Sequence, residues 1–109
     1  MNDITFKIAK RGEGKTKWLL DIANKYSTNN KVYLYTEDET EYLKFCEKYF
    51  ATYGRICPVM RLTSFVSMQD AVVLVDNLFN QDSSISDFTF IQRNCHKLFI
   101  TLEGEQADA

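Results

Sequence analysis

Eight consecutive residues near the amino terminus combine the residue types that bind an anion. They are Ala9, Lys10, Arg11, Gly12, Glu13, Gly14, Lys15 and Thr16. Glycines at positions 12 and 14 let backbone N–H groups wrap around a negative group, because glycine adopts backbone conformations that other residues avoid. A helix that begins near Lys15 adds its positive end, and the lysine adds a full charge. The spacing therefore predicts an anion-binding loop rather than a surface turn that is merely rich in basic residues.

A second candidate is the acidic residue Asp76, which follows four apolar residues, Val72–Val75. A continuous apolar and mostly β-branched run is typical of a strand that is covered on both faces. A carboxylate at the end of such a strand is compatible with turn formation, and equally with an oxygen ligand for a divalent cation. The position alone does not decide between the two.

The elements that must position these residues follow from the spacing of apolar side chains. Ile4, Phe6 and Ile8 alternate with polar residues, which predicts a strand with one buried face. Apolar residues at helical spacing predict a helix from residue 15 to about 27. Further strands are predicted at 32–35, 72–75 and 98–102, and further helices at 42–53, closed by Gly54, and at 85–95, capped by Ser84 or Ser86. A short strand within 56–62 is expected at an edge, unless the segment is partly irregular, because Pro58 cannot donate to a strand ladder.

Strands that alternate with helices predict an α/β fold, a three-layer sandwich with a mainly parallel sheet of four or five strands. Ligands of such sheets bind beyond the carboxyl ends of the strands, where both the loop and Asp76 fall. Residues 1–103 are expected to form one domain, followed by a polar tail at 104–109.

Residues 9–16, with alanine in place of the commoner first glycine, and residues 72–76 resemble the phosphate-binding loop (Walker A) and the Walker B segment of the P-loop nucleoside triphosphatases. The resemblance implies a P-loop NTPase-like fold and the Mg²⁺-dependent binding and hydrolysis of a nucleoside triphosphate, with ATP as the default. It implies that Lys15 reaches the β- and γ-phosphates, and that Thr16 and Asp76 hold the Mg²⁺ ion. Thr101 falls where the superfamily often has a polar residue that senses the γ-phosphate, although threonine is also an ordinary strand former.

Arg11 stands inside the loop, where it is similar to an arginine of the large terminase subunits, the DNA-packaging ATPases of tailed phages. The similarity implies a catalytic role in neutralising charge that develops during phosphoryl transfer. A solvated Arg11, or one paired with Glu13, is the alternative.

Turnover depends on Asn77, the residue after Asp76. Many P-loop motor ATPases have a glutamate there, and an amide can hold a water molecule but cannot accept its proton. Either Glu13, Glu37 or Glu103 substitutes, or turnover is slow or absent. Three hypotheses follow. The first is an NTPase that resembles the motor or recombinase-like ATPases and serves a viral or mobile-element DNA-processing machine, as a homo-oligomer or with a partner protein that supplies missing groups. The second is a regulatory module that binds nucleotide without turnover. The third is a nucleoside or nucleotide kinase, for which the remaining arginines are scattered, at Arg55, Arg61 and Arg93.

Other reactive or aromatic residues have a structural interpretation. His96 beside Cys95 lacks the third member of a nucleophilic triad. The acidic residues Glu37 and Asp38, which follow Thr36, favour the start of the following helix. All three residues nevertheless fall at the carboxyl end of the second strand, on the ligand side of the predicted sheet. The aromatic residues at helical spacing are expected in the core rather than stacked on bases: Tyr42, Tyr49, Phe50 and Tyr53.

Composition limits the class of protein. The chain has 109 residues, of which 45% are hydrophobic and 14% aromatic, so it is not disordered. Its net charge of −2 offers no positive field for nucleic acid, so any nucleic-acid contact has to be local. No apolar run suits a membrane span or a signal peptide, which predicts a soluble, cytoplasmic protein without a membrane partner. Three cysteines without a CxxC pair favour neither a disulfide framework nor a zinc site.

Overall fold

A computed structural model describes residues 3–9, 14–36, 38–62, 69–76 and 85–103, with the side chains of 85–89 and 103 left out. Strands and helices alternate along the described chain, as the apolar spacing predicted. They are β1 (Asp3–Ala9), α1 (Lys15–Tyr26), β2 (Val32–Leu34), α2 (Glu39–Tyr53), β3 (Met60–Arg61), β4 (Val72–Val75), α3 (Ile85–Asn94) and β5 (Lys97–Glu103). The predicted tail at 104–109 lies outside the described residues.

The strands form one five-stranded sheet in the order β1-β5-β4-β2-β3, and the strands of every adjacent pair are parallel. The predicted α/β class with a parallel sheet is therefore confirmed. The predicted edge position of the short strand near Pro58 is also correct, because β3 is the last strand on that side. At the other side, β1 is the edge strand and pairs with β5 from Asp3 to Ala9.

Each face of the sheet carries its own hydrophobic core. On one face, buried residues of α1 and α2 pack with β2, β4 and β5, among them Leu19, Tyr49, Leu74 and Phe99. On the other face, α3 contributes Ile91, which packs with residues of β2, β4 and β5 such as Val73 and Leu98. Successive strand residues alternate between the faces, so Val72 and Leu74 join the first core while Val73 and Val75 join the second. Burial on both faces explains the uninterrupted apolar sequence of β4.

Local signals fix the ends of α2. The Asp38 carboxylate accepts a hydrogen bond from the Thr40 N–H at 2.8 Å, and so acts as the N-cap. The helix ends at Gly54, whose φ of 69° is left-handed and whose N–H donates to the Phe50 carbonyl at 2.8 Å. The predicted helix end at Gly54 is confirmed, and the acidity near Asp38 serves the start of the helix, as expected.

The expected burial of one face of β1 is wrong. Phe6 is 52% exposed and Ile8 is 65% exposed, although both alternate with polar residues as in a half-buried strand. Among the described residues, the core on their face of the sheet takes only Ile4 from β1, and its other members come from β2, β4, β5, α3 and the residues beside them. Alternation predicted the strand correctly, but exposure depends on the position of the strand at the edge of the sheet.

Two smaller expectations also differ. Ser86 lies inside α3, which begins at Ile85, and therefore does not cap it, while Ser84 lies outside the described residues. Among the α2 aromatics, Tyr49 is fully buried but Phe50 is 58% exposed. Within the described part of the chain, no helix has the length and apolar character that crossing a membrane requires.

Candidate functional site

Polar residues form a row at the carboxyl ends of three adjacent strands. Val75 of β4 pairs with Ile100 of β5, so the next residues, Asp76 and Thr101, lie at the same level. The Thr101 hydroxyl donates to Oδ1 of Asp76 at 2.6 Å, and Thr101 is fully buried. Both side chains face the side of the sheet that α1 covers, because they follow Leu74 and Phe99 by two residues.

Helix α1 brings a second hydroxyl to the same carboxylate. Oγ1 of Thr16, in the first turn of α1, lies 3.4 Å from Oδ2 of Asp76, although the two residues are sixty positions apart. An ordinary hydroxyl–carboxylate hydrogen bond is shorter, about 2.5 to 3.0 Å, so this contact is a loose one. The two motifs that the sequence analysis singled out therefore meet at one point of the structure.

The first residue of α1 is Lys15, which is buried, with 9% of its surface exposed. By contrast, the ammonium of Lys17 is exposed and pairs with Asp21 at 2.6 Å. Gly14 precedes the helix with φ 85° and ψ 22°, and nothing lies within 4 Å of a Cβ built there. Backbone conformation rather than space therefore requires glycine at this position.

The start of α1 is suited to an anion. The first turn has no acidic residue, and the N-cap residue, Gly14, has no side chain with which to cap the helix. The N–H groups of the first turn and the positive end of the helix dipole point out of such a terminus. Of the predicted loop, Ala9 closes β1 and Gly14 to Thr16 open α1, while Lys10, Arg11, Gly12 and Glu13 lie outside the described residues. Asn77 and Glu37 also lie outside them.

The donor set of Thr16 and Asp76 fits a magnesium ion. Mg²⁺ prefers oxygen ligands in an octahedron with bonds of about 2.1 Å, which places adjacent ligands about 3 Å apart. The 3.4 Å between Thr16 Oγ1 and Asp76 Oδ2 is close to that spacing. Magnesium also keeps several of its waters and needs only one or two protein ligands. A cage of three or more His, Cys, Asp or Glu side chains is not found among the described residues.

The end of β2 adds a further polar element to this edge of the sheet. Thr36 is buried, and its hydroxyl accepts the Asp38 N–H at 3.2 Å, which shapes the turn into α2. The Thr36 carbonyl accepts a hydrogen bond from Nε of Arg61 at 3.3 Å. In the sequence, Arg61 is one of several scattered arginines, and its position at the end of the predicted short edge strand is the signal that could have placed it here.

Cys95 and His96 lie away from this edge. They precede Lys97, the first residue of β5, and therefore belong to the amino-terminal ends of the strands. Burial raises the pKa of the Cys95 thiol to about 11, which disfavours the nucleophilic thiolate. The structural interpretation of this pair agrees with its place in the fold.

The described side chains at the carboxyl edge thus include a buried lysine, one carboxylate, and the hydroxyls of two residues that contact that carboxylate. A lysine at a helix start is suited to a phosphate-like anion, and a hydroxyl beside a carboxylate is suited to a hard divalent cation. Comparisons of the chain with protein-family models, with curated proteins and with solved structures found no match.

Proposed function

We propose that the protein binds a nucleoside triphosphate together with Mg²⁺ and hydrolyses it, with ATP as the default nucleotide. The observation that carries this proposal is the approach of Thr16 to Asp76, 3.4 Å between oxygens of residues sixty positions apart. A fold in which residues 9–16 formed only a basic surface turn would give no reason for this contact. The resemblance to P-loop NTPases assigns the metal to this pair of residues.

Each described residue has a defined task in this proposal. Lys15, held at the first position of α1, neutralises the β- and γ-phosphates, and the first-turn N–H groups bind their oxygens. Thr16 and Asp76 hold the metal ion, which when bound neutralises phosphate charge during transfer. Thr101 positions the carboxylate of Asp76 through its 2.6 Å hydrogen bond, and so links the proposed γ-phosphate sensor to the proposed metal ligand.

Water activation in this proposal needs a proton acceptor other than the residue after Asp76, which is Asn77. Glu37 stands in the chain between Thr36 and Asp38, which frame the turn after β2, the strand next to β4. Of the three glutamates considered, Glu37 therefore has described neighbours at the end of β2, and Glu103 is the last residue of β5, two positions after Thr101. A second candidate function, nucleotide binding without turnover, is favoured by the amide of Asn77 itself.

Calorimetry with ATP, GTP and a non-hydrolysable analogue, with and without Mg²⁺, tests the binding step. We expect magnesium-dependent binding that Lys15→Ala weakens at least tenfold, since the substitution removes a full charge beside the phosphates. Lys17→Ala is the matched control, because it removes an exposed lysine from the same turn of α1 and is expected to leave the affinity unchanged. Absence of binding by the unaltered protein would overturn both candidate functions.

Phosphate release by the same samples, with and without DNA, separates the two candidates and tests the DNA-processing role. Turnover that Arg11→Ala lowers while binding stays unchanged would support a catalytic arginine, as the terminase-like loop implies. Binding without phosphate release would leave the regulatory module as the function. Glu37→Gln would abolish turnover but spare binding if this carboxylate accepts the proton.

A further inference from the structure

The outer edge of β1 has the properties of a pairing surface. Among the described strands, β1 has β5 as its neighbour on one side and no strand on the other, along all seven residues Asp3–Ala9. On the face that α3 covers elsewhere, its side chains Phe6 and Ile8 are more than half exposed. A long edge strand with exposed apolar side chains is a template for another strand.

The usual protection of such an edge is weak here. A lysine on an edge strand deters pairing when its charge projects outward. The Lys7 ammonium instead lies 5.9 Å from the ring centre of Trp18, over α1 of its own chain. Asp3, at the start of the strand, is held by the Lys97 ammonium of β5 at 2.7 Å, with most of its side chain still exposed.

We propose that a second copy of the chain pairs with this edge, its β1 antiparallel to β1 and centred on Thr5. That register places Asp3 opposite Lys7 of the second copy at both ends of the paired segment. It also places Ile4 opposite Phe6 of the second copy on the apolar face, with Ile8 diagonal to Ile4 of the second copy. Because of the twofold symmetry, each charged side chain lies opposite one of opposite charge, and each apolar side chain lies beside an apolar side chain of the second copy.

The exposed apolar side chains favour this arrangement over a parallel one. Parallel pairing through the same edge requires the second copy to be turned over about the strand direction, which would place Phe6 and Ile8 of the two copies on opposite faces of the joined sheet. A twofold axis perpendicular to the sheet keeps the exposed apolar faces of both copies on one side. It pairs the β1 edge of one copy with the β1 edge of the other, so this contact closes at the dimer.

The dimer is independent of the proposed nucleotide site. In antiparallel pairing, the carboxyl ends of the two sheets point in opposite directions, so neither copy reaches the Lys15–Asp76 edge of the other. Substitutions at the strand edge should therefore change association without changing nucleotide affinity. Because one strand edge buries less than the ~800 Å² per partner of a standard interface, the dimer should dissociate in the micromolar range.

Sedimentation measured over protein concentrations from about 5 to about 500 µM tests the proposal. We expect a monomer–dimer equilibrium that Phe6→Lys weakens at least tenfold. Phe50→Lys is the matched control, because Phe50 is exposed to a similar extent, 58%, but lies on α2. Ile8→Lys, with Ile56→Lys as its control at 86% exposure, repeats the comparison if Phe6→Lys does not fold by circular dichroism.

A mixing experiment tests which residues face each other. A dimer of two Asp3→Lys copies has two lysines opposite each other at each end of the paired segment. A dimer of two Lys7→Asp copies has two aspartates opposite each other at each end. Each variant alone should therefore associate several-fold more weakly than the unaltered protein. A mixed dimer of the two variants has no like-charge pair, because the lysine introduced at position 3 faces the aspartate introduced at position 7, and the remaining Lys7 faces the remaining Asp3. The mixture should therefore form a heterodimer close to the strength of the original.

Three outcomes would each overturn the proposed pairing. The first is a protein that is monomeric over the whole concentration range. The second is a dimer that is insensitive to Phe6→Lys, and the third is a mixture of the two charge variants without recovery of association.

Discussion

Replacement of Thr101 by valine is the sharpest probe of the candidate site, because it removes one hydroxyl and keeps the shape of the side chain. Thr101 is fully buried and donates to Asp76 at 2.6 Å. A hydrogen bond to a charged group contributes about 1.5 to 3 kcal/mol to stability. Asp76 is partly exposed and can recover a water on that oxygen, so we expect a loss near the lower figure. For a chain of this size, each kcal/mol lowers the melting temperature by roughly 4 to 8 °C.

Thermal unfolding followed by circular dichroism measures this loss, and Thr52→Val is its matched control. Thr52 is exposed on α2, and its hydroxyl donates to the Lys48 carbonyl of its own helix, so its replacement should change the melting temperature little. The double variant with Asp76→Asn should show that the two changes are not additive, since Thr101→Val removes the donor of the hydrogen bond whose acceptor Asp76→Asn makes neutral. Magnesium nucleotide should raise the melting temperature of Thr101→Val less than that of the unaltered protein, because the carboxylate is no longer held.

Additive effects of Thr101→Val and Asp76→Asn would refute this account of the site. So would a loss for Thr101→Val no larger than that for Thr52→Val. Either result would mean that Thr101 serves the strand rather than the carboxylate, and the proposed link between metal ligand and sensor would fall with it.

Three further predictions concern the scaffold. Asp38→Ala should lower the free energy of unfolding by about 1 kcal/mol, measured by urea titration, because the Thr40 N–H loses its cap; Asp38→Asn should recover most of the loss. The Lys17 ammonium and the Tyr53 hydroxyl hold the pKa of Asp21 below its ordinary value of 3.8, so the stability from this carboxylate is present above pH 3.8 and is lost as the pH falls through the lowered folded-state pKa. Unfolding curves from pH 6 to pH 2 should therefore show a smaller acid-dependent decrease for Asp21→Asn, and equal curves would contradict this. Cys95, whose buried thiol has a pKa raised to about 11, should react with iodoacetamide at pH 8 far more slowly in the folded protein than in urea, and equal rates would contradict its burial.

The elements could be predicted where a local pattern decides them. The apolar spacing of α1, the continuous apolar run of β4 and the glycine at the end of α2 each reflect the immediate surroundings of the chain. The exposure of Phe6 could not be predicted in this way, because the same alternation occurs in edge and central strands. Strand order depends on contacts between distant segments, which local periodicity does not encode.

The candidate site was predicted as residues but not as an arrangement. Lys15, Thr16 and Asp76 follow from motif chemistry, and Thr101 followed only from the resemblance. Its direct hydrogen bond to Asp76 depends on β5, the last strand in sequence, lying next to β4. Arg61 reaches the Thr36 carbonyl because β3 pairs with β2, which is again a consequence of strand order.

The strand order also explains why a helix has to complete the site. Strand β5 lies between β1, which leads into the loop, and β4, which Asp76 follows. The loop therefore starts two strand spacings, roughly 10 Å, from the carboxylate. Ala9, the last residue of β1, pairs with Glu103 and stays at the sheet edge. A segment that continues from β1 must cross over β5 to bring a hydroxyl to Asp76, and α1 does so with Thr16 in its first turn. Thr101 belongs to the strand that is crossed, and so contacts Asp76 from the neighbouring strand while Thr16 approaches it from the helix. The two hydroxyls take different oxygens of one carboxylate because they reach it from two different elements.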